Sequence, residues 1–364
     1  MLDIKGLCVD FPTERGVVHA VAEADIALAP GVRVGFVGES GSGKTTTALA
    51  TMRMIKEPGR IARGTIQLGE TDILGLSPEE MRQTRLRRIS YIPQGAMNSL
   101  NPVMRIGRQI ADGIADHEGN RPKEELRDRI AAALDGVGLP ARVARMYPHE
   151  LSGGMKQRAC IAIATALKPE LIIADEPTSA LDVITQRQVM ETLRRAQEKL
   201  GSALILIGHD MGLMAQSVDE LMVMKDGRIV ERGSIRKIFA QPEHPYTREL
   251  IESVPSIGGE RLFPATPVQP AGTDAEAAPL LELDAVSKVY GGGWLAGEGN
   301  TALRPLSLKL ASGKPMIVSV VGQSGSGKST LGGLMLGFTR PTTGQVRFEG
   351  RDVREMKGAE GRIF

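Results

Sequence analysis

One glycine-rich string occurs twice along the chain. It reads Gly-Glu-Ser-Gly-Ser-Gly-Lys-Thr from Gly38 to Thr45 and Gly-Gln-Ser-Gly-Ser-Gly-Lys-Ser from Gly322 to Ser329. Both copies match the pattern G-x-x-x-x-G-K-[ST], whose glycines let the backbone curl until several N–H groups face a polyphosphate. The sequence therefore predicts two loops that can grip phosphate.

The first copy lies between an apolar run at 34–37, typical of a buried strand, and a helix that begins near Lys44. Glycine-rich turns can be purely structural, but this strand–loop–helix context favours nucleotide binding, and the helix N-terminus adds its positive end. Lys44 is placed to reach the β- and γ-phosphates, and Thr45, like Ser329, offers a hydroxyl to Mg²⁺. The residues predicted to hold the nucleotide are Gly38, Ser40, Gly41, Ser42, Gly43, Lys44, Thr45 and Thr46 in one copy and Gly322, Ser324, Gly325, Ser326, Gly327, Lys328, Ser329 and Thr330 in the other.

Two adjacent acids, Asp175 and Glu176, follow a second apolar run at 171–174. Neighbours on a strand point to opposite faces, but just beyond its end both side chains can turn toward the phosphate loop. Asp175 then suits the Mg²⁺ shell, and Glu176 can polarise a water for in-line attack on the γ-phosphate. The alternative, a strand end capped by solvated acids, is weak beside an intact phosphate loop.

The string Leu-Ser-Gly-Gly-Met-Lys-Gln-Arg from Leu151 to Arg158 opens a predicted helix. Ser152 fits an N-cap, and Gly153 and Gly154 leave the first N–H groups open to an anion. Ordinary helix capping would explain Ser-Gly-Gly alone. The full string is far more specific, and it resembles the signature of ATP-binding cassette (ABC) ATPases.

The resemblance extends to the other motifs of that family, in order. Gln94, after a strand at 89–93, matches the glutamine loop that contacts Mg²⁺ and the attacking water and faces the membrane partner. His209 matches the switch histidine that contacts the γ-phosphate, although Gly208 stands where the family has threonine or serine and could loosen the loop. The string at 179–182 matches the loop that signals across the dimer and ends in Asp182.

Adenine and a second cassette complete the site in this family. Phe11 occupies the place of the aromatic residue that stacks on adenine, although a phenylalanine that ends a strand is more often part of the core. The signature helix of one cassette closes over the nucleotide held by another, so the resemblance predicts that the signature contacts a partner's ATP through Ser152, Gly153, Gly154 and Gln157.

Two further strings narrow the family. Asn-Ser-Leu-Asn-Pro-Val at 98–103 and the segment 244–255, which begins His-Pro-Tyr-Thr, look like the dipeptide, oligopeptide and nickel importer ATPases of bacteria, a group that includes fused two-cassette members. The resemblance implies an ATPase that powers peptide uptake with permease subunits and a solute-binding protein, peripheral to the cytoplasmic face of the inner membrane. Physically, 244–255 could be no more than an exposed terminal helix after a proline turn.

The expected fold is α/β: a P-loop ABC cassette with a parallel-sheet core, a small antiparallel β subdomain and a helical subdomain, followed by the start of a second cassette. We place a complete cassette at 1–254 with its helical subdomain at about 103–150, a linker rich in proline, glycine and alanine at 255–279, and the opening of the second cassette at 280–364. The second part has no signature, Asp-Glu pair or switch histidine. We therefore expect the front part of a longer protein; the alternative is two copies pairing through their first cassettes.

The composition disfavours several other classes of function. A formal charge of +2 and 3% aromatic residues disfavour nucleic-acid binding. Two cysteines cannot build a disulfide framework or a four-thiolate cluster, and no apolar run reaches the roughly 18–20 residues that span a bilayer. The alternatives that remain are a soluble tandem ABC ATPase of translation or DNA repair, and a nucleotide-binding module without turnover.

Overall fold

The computed structural model describes residues 1–179, 181–254, 279–291, 299–312 and 317–356. The predicted linker, apart from its last residue, and Ala180 in the loop at 179–182 lie outside the described residues. Contacts along the chain divide it into two units, residues 1–181 with 185–260 and residues 182–184 with 261–364.

The part of the chain up to residue 254 alternates strands and helices. Its strands are β1 (Leu2–Thr13), β2 (Gly16–Leu28), β3 (Arg33–Val37), β4 (Arg60–Leu68), β5 (Thr71–Asp72), β6 (Ile89–Ile92), β7 (Leu171–Asp175), β8 (Ala203–Ile207), β9 (Glu220–Lys225) and β10 (Arg228–Ser234). Its helices are α1 (Lys44–Thr51), α2 (Pro78–Thr84), α3 (Ile106–Glu118), α4 (Lys123–Gly136), α5 (Gly153–Thr165), α6 (Val183–Leu200), α7 (Met211–Ser217), α8 (Ile235–Ala240) and α9 (Pro245–Glu252). Short 3₁₀ turns lie at Ala96–Asn98, Ala141–Arg145 and Pro148–Glu150.

A six-stranded sheet in the order β10-β9-β3-β8-β7-β6 forms the centre of this unit. Strands β9, β3, β8, β7 and β6 are parallel, and only β10 runs antiparallel, as the hairpin partner of β9. The apolar runs that predicted buried strands at 34–37 and 171–174 are confirmed to within one residue. Such runs are apolar throughout because both faces of a parallel sheet are covered.

The two faces of the central sheet pack into different cores. On β7, Ile172 and Ala174 join a core with the helices between 106 and 165, whereas Leu171 and Ile173 join a core with an antiparallel sheet in the order β2-β1-β4-β5. This is the expected combination of parallel core, antiparallel β subdomain and helical layer. The residues predicted to take part in chemistry thus lie at one edge of the central sheet, next to the carboxyl ends of β3, β7 and β8.

The second unit repeats the opening of the first. It contains β11 (Leu281–Tyr290), β12 (Asn300–Leu310), α10 (Lys328–Met335), β13 (Thr343–Phe348) and β14 (Arg351–Asp352). These strands form an antiparallel sheet in the order β12-β11-β13-β14, the same order as β2-β1-β4-β5. Residues 317–321, which precede the second glycine-rich loop, form no strand. Across the described ranges, no helix has the length and apolar character needed to cross a membrane.

Candidate active site

The first phosphate loop connects β3 to α1 by a turn that only glycine can make at two positions. Gly38 has φ 147° and Gly43 has φ 98°, both in the region that favours glycine. A Cβ at Gly38 would lie 2.1 Å from the carbonyl oxygen of Met224, and a Cβ at Gly43 would lie 2.4 Å from that of Ala20. The backbone of the loop is therefore wedged between β2 and the β9–β10 hairpin.

Lys44 is buried within the curl of this loop. Its Nζ donates to the carbonyl oxygens of Gly38 and Glu39 at 2.7 Å each and to Ser42 Oγ at 3.1 Å. These contacts use all three donors of the ammonium group. Burial lowers the pKa of Lys44, and the carboxylates of Glu176, Asp175 and Glu39 oppose that shift.

Asp175 ends β7 and is buried beside the first turn of α1. Its carboxylate accepts a hydrogen bond from Thr45 and another from the hydroxyl of Tyr91, whose oxygen lies 3.0 Å from Oδ2. Burial raises the pKa of Asp175, while these two hydrogen bonds and the charge of Lys44 lower it and Glu176 raises it. Burial and the same carboxylate raise the pKa of Tyr91, so its hydroxyl stays a donor.

Glu176 lies one residue beyond the strand and connects two other predicted residues. Gln94 Nε2 donates to its Oε2 at 2.9 Å, and His209 Nδ1 lies 3.2 Å from its Oε1. Its backbone N–H donates to Ile207 at 3.0 Å, and its φ of 43° is a left-handed conformation that costs a residue with a side chain about 1–3 kcal/mol. Because the chain turns at this residue, the Glu176 carboxylate lies between Gln94 and His209, which are 82 and 33 positions away in the sequence.

Gly208 stands where the ATPases that the sequence resembles have threonine or serine. Met214 fills the space that such a side chain would take. A Cβ at Gly208 would lie 2.7 Å from the terminal methyl of Met214, which is fully buried. A cavity of about 170 Å³ borders this contact, with Glu176, Thr178 and His209 among its lining residues. The Met214 side chain therefore packs against the loop in the space that a side chain at position 208 would otherwise occupy.

The signature string begins α5 as predicted. Ser152 is its N-cap, and its Oγ accepts a hydrogen bond from the N–H of Met155 at 3.4 Å. Gln157 is buried, and its Nε2 has no hydrogen-bond partner in the structure. Within the described residues, no hydrogen bond joins the signature residues to the phosphate loop.

The remaining predicted residues lie apart from this cluster. Phe11, near the end of β1, is half-buried, and its ring covers Gly59, where a Cβ would lie 2.4 Å from the ring. Asp182 directly precedes α6. In the second unit, Lys328 Nζ donates to the carbonyls of Gly322 and Gln323 at 2.7 Å each, in a loop that is mostly exposed.

Two residues of the site were missed by the sequence analysis. Tyr91 lies on β6, and a tyrosine in a buried strand could have been suspected because its hydroxyl needs a partner. Tyr246 lies in the segment that, from sequence alone, could be no more than an exposed terminal helix, but it is 3% exposed, and its hydroxyl accepts a hydrogen bond from the N–H of Glu39 at 2.8 Å. That alternative is wrong for this part of the segment, because α9 buries Tyr246 against the phosphate loop.

Comparison with known proteins identifies the family of this chain. The profile of the ABC transporter family matches residues 21–179 and 303–363, and a profile described as the C-terminal region of oligopeptide/dipeptide transporters matches residues 230–279. The chain therefore belongs to the ABC transporter family, and its fold is that of an ATP-binding cassette.

Among its relatives is the dipeptide transport ATP-binding protein DppD of Haemophilus influenzae, which is 42% identical over 77% of this chain and 86% of that protein. The oligopeptide transport ATP-binding protein OppD of Bacillus subtilis is 42% identical over 74% of this chain and 76% of that protein. The glutathione import ATP-binding protein GsiA of Salmonella paratyphi A is 36% identical over 99% of this chain, which spans 62% of that protein.

A solved structure described as the dimeric structure of MJ0796, a bacterial ABC transporter cassette, is similar to this chain. It matches with a TM-score of 0.58 and 27% identity, covering 65% of this chain and 99% of that one. A dimeric post-hydrolysis state of the same cassette bound to ADP and Pi matches at 26% identity with the same TM-score.

Proposed function

We propose that this chain is the ATP-hydrolysing subunit of an ABC transporter that takes up dipeptides or oligopeptides. One observation carries the catalytic half of the proposal: Glu176 stands between Gln94 and His209, at 2.9 and 3.2 Å, at the end of the strand beside the phosphate loop. The names of the relatives support the transport half, since they describe dipeptide and oligopeptide transport and give no support to translation or DNA repair.

The loop residues bind the triphosphate, and Lys44 exchanges partners to do so. All three of its donors are used inside the loop, and the contact to Ser42 Oγ, at 3.1 Å, is longer than the two carbonyl contacts at 2.7 Å. A phosphate oxygen would replace that hydroxyl and leave the carbonyl contacts intact. A hydrogen bond from the ammonium group to an anionic phosphate oxygen, in which both partners are charged, is stronger than the one it displaces, whose acceptor is a neutral hydroxyl.

Glu176 accepts the proton of the attacking water. Gln94 donates to one carboxylate oxygen and His209 lies against the other, so the carboxylate cannot rotate away from the loop. The side chain of His209 is 71% exposed and is therefore free to reach a γ-phosphate. A positioned general base of this kind contributes roughly 10²–10⁴ to a rate.

The oxygen atoms beside the loop suit Mg²⁺. Thr45 and Asp175 already share a hydrogen bond, and hydroxyl, carboxylate and amide oxygens are hard ligands that Mg²⁺ prefers. Thr45, Asp175 and Gln94 would hold the ion, with Ser329 in the corresponding place of the second loop, and the ion would neutralise charge on the β- and γ-phosphates.

A second cassette would complete the site. The signature residues Ser152, Gly153, Gly154 and Gln157 would close over a partner's nucleotide, and the exposure of Ser152, the N-cap of α5, supports such a contact. The partner would be a second cassette of the same longer protein or, failing that, another copy or a related subunit.

The proposal includes a division of the chain into a cassette, a linker and the start of a second cassette. We assign 1–254 to a complete cassette, 255–279 to a linker and 280–364 to the start of a second cassette. The family profile at 303–363 and the alignment with the glutathione importer protein along 99% of the chain support a fused two-cassette protein. The assembly would include permease subunits and a solute-binding protein and would lie, as a peripheral protein, on the cytoplasmic face of a bacterial inner membrane.

The decisive experiment changes Glu176→Gln in the full chain. We expect ATP binding to be retained, an ATP-bound dimer to accumulate, and turnover to fall by at least about 10² because the proton acceptor is gone. ATP affinity, steady-state hydrolysis and size-exclusion profiles measure these effects. Glu170→Gln is the matched control, because Glu170 pairs with Arg88 just before β7 begins, at the end opposite Glu176. Unaltered turnover in the Glu176 variant would remove this residue from the mechanism, and failure of the unmodified chain to bind ATP would overturn the function.

A further inference from the structure

The start of α9 is anchored inside the first unit. Glu231, on β10, accepts the backbone N–H groups of Glu243 and His244 at 2.9 Å each. Burial raises the pKa of Glu231, but the hydrogen bonds that its carboxylate accepts lower the pKa by a larger amount. The net shift is downward, and the carboxylate stays ionised. His244 Nδ1 then accepts the N–H of Tyr246 at 3.2 Å, and Pro245 occupies the first helical position.

This anchoring directs Tyr246 at the phosphate loop. The hydroxyl oxygen of Tyr246 lies 2.8 Å from the backbone nitrogen of Glu39, the second residue of the loop, and accepts its hydrogen bond. The ammonium group of Lys225 lies 4.6 Å from the centre of the tyrosine ring. Because burial is the main cause of a raised pKa at Tyr246, the hydroxyl stays neutral.

Residue Glu39 is consequently held from both sides. Its N–H is bonded to Tyr246, and its carbonyl oxygen is bonded to Lys44 Nζ at 2.7 Å. Rotation of that residue would break the carbonyl contact that keeps Lys44 aligned. The N–H of Glu39, which points to the helix, is also unavailable to phosphate, so the phosphate must bind to the N–H groups farther along the loop.

We propose that Tyr246 is a positioning residue for the phosphate loop, which fixes Glu39 and through it the ammonium group of Lys44. The proposal rests on the proposed binding of ATP at this loop. This role falls on a helix within the region matched by the profile of the oligopeptide/dipeptide transporter C-terminal region. Helix α9 would stabilise the loop conformation that binds nucleotide. Loosening α9 from outside the loop therefore weakens ATP binding.

The test is Tyr246→Phe in the full chain, which removes one oxygen atom and keeps the ring beside Lys225. We expect ATP affinity to fall about fivefold to tenfold, the effect of losing one ordinary hydrogen bond. The KM for ATP rises in parallel, while kcat at saturating ATP stays within about twofold because the catalytic cluster is untouched. Amide hydrogen exchange at Glu39 becomes faster.

The control is Tyr290→Phe, because the ring of Tyr290 also lies beneath a lysine, Lys288, at 5.0 Å, but on the second unit. Glu231→Gln, which weakens the anchor of α9, is expected to change ATP affinity in the same direction by a smaller factor. Unchanged affinity and unchanged exchange at Glu39 in Tyr246→Phe would overturn the proposal. If that variant folds poorly, slow exchange at Glu39 in the unmodified chain supports the proposal and fast exchange overturns it.

Failure of the proposed function has a different result. If Lys44→Ala binds ATP as well as the unmodified chain, then the nucleotide is not held at this loop and both proposals fail. If Lys44→Ala abolishes binding and Tyr246→Phe has no effect, then only the role of the tyrosine is wrong.

Discussion

The two phosphate loops have the same local backbone and different surroundings. Their lysines donate to paired carbonyl oxygens at 2.7 Å in both copies. Their glycines have closely similar φ angles, 147° and 156° at Gly38 and Gly322, 85° and 81° at Gly41 and Gly325, and 98° and 91° at Gly43 and Gly327. Eight residues are thus enough to set the shape of the loop.

The surroundings decide what that shape can do. Val37, before the first loop, is 1% exposed in a strand with neighbours on both sides, whereas Val321, before the second, is 87% exposed and Ile317 is 98% exposed. The strands that carry Asp175, Glu176 and His209 to the first loop have no counterpart among the described residues of the second unit. A phosphate loop alone is a binding element, and hydrolysis needs the ends of the neighbouring strands.

The largest expected difference between the loops concerns their lysines. We expect Lys44→Ala to lower ATP hydrolysis by at least about 10², because it removes the ammonium group from a site of low dielectric constant. The loss of hydrolysis in Lys328→Ala should be at least tenfold smaller, since no catalytic cluster adjoins the second loop within the part of the chain that the structure describes. Steady-state hydrolysis at saturating ATP measures both. Equal losses would mean that the second loop takes part in turnover, and the contrast between the loops would fail.

The next effect tests the cluster itself. His209→Ala should lower kcat by about 10², because the histidine contacts the Glu176 carboxylate and, under the proposed function, would contact the γ-phosphate. His19→Ala is a matched control, since His19 Nδ1 lies 2.8 Å from Asp10 Oδ1 in a similar histidine–carboxylate pair outside this cluster. Similar losses in the two variants would indicate a general structural effect and would argue against a switch at His209.

The motifs led to residues that the structure brings together, because each motif has a fixed local geometry. The phosphate loop, the strand end at Asp175 and the N-cap at Ser152 are set by neighbours in sequence, and the parallel sheet brings them to one edge. Tyr91 and Tyr246 were missed because their partners lie 84 and 207 positions away and their segments carry no local signal for that contact. The packing of Met214 against Gly208 was invisible for the same reason.

A pair of matched substitutions tests the difference in surroundings directly. Val37→Thr should lower the free energy of unfolding by about 1–3 kcal/mol, because it buries a hydroxyl without a partner at constant volume. Val321→Thr should change it by less than about 0.5 kcal/mol, as for other exposed positions. Urea unfolding measures both. A large cost at Val321 would show that this segment is packed in a sheet and that the two loops have similar support.

The smallest effect concerns the buried carboxylate of Asp175 beside the first loop. Burial raises the pKa of Asp175 above its ordinary value, so the ionised carboxylate is less stable in the folded protein than in the unfolded chain. A raised pKa in the folded state means that stability present at low pH is lost as pH rises through that pKa. Asp175→Asn removes the charge, so its Tm relative to that of the unmodified chain should rise between about pH 4 and pH 7 in the absence of nucleotide. A Tm difference that falls over this range would mean that the hydrogen bonds from Thr45 and Tyr91 outweigh burial. With Mg²⁺ and ATP the same comparison should reverse, because the carboxylate then has the cation that its position beside Thr45 suits, and asparagine offers that cation no negative charge.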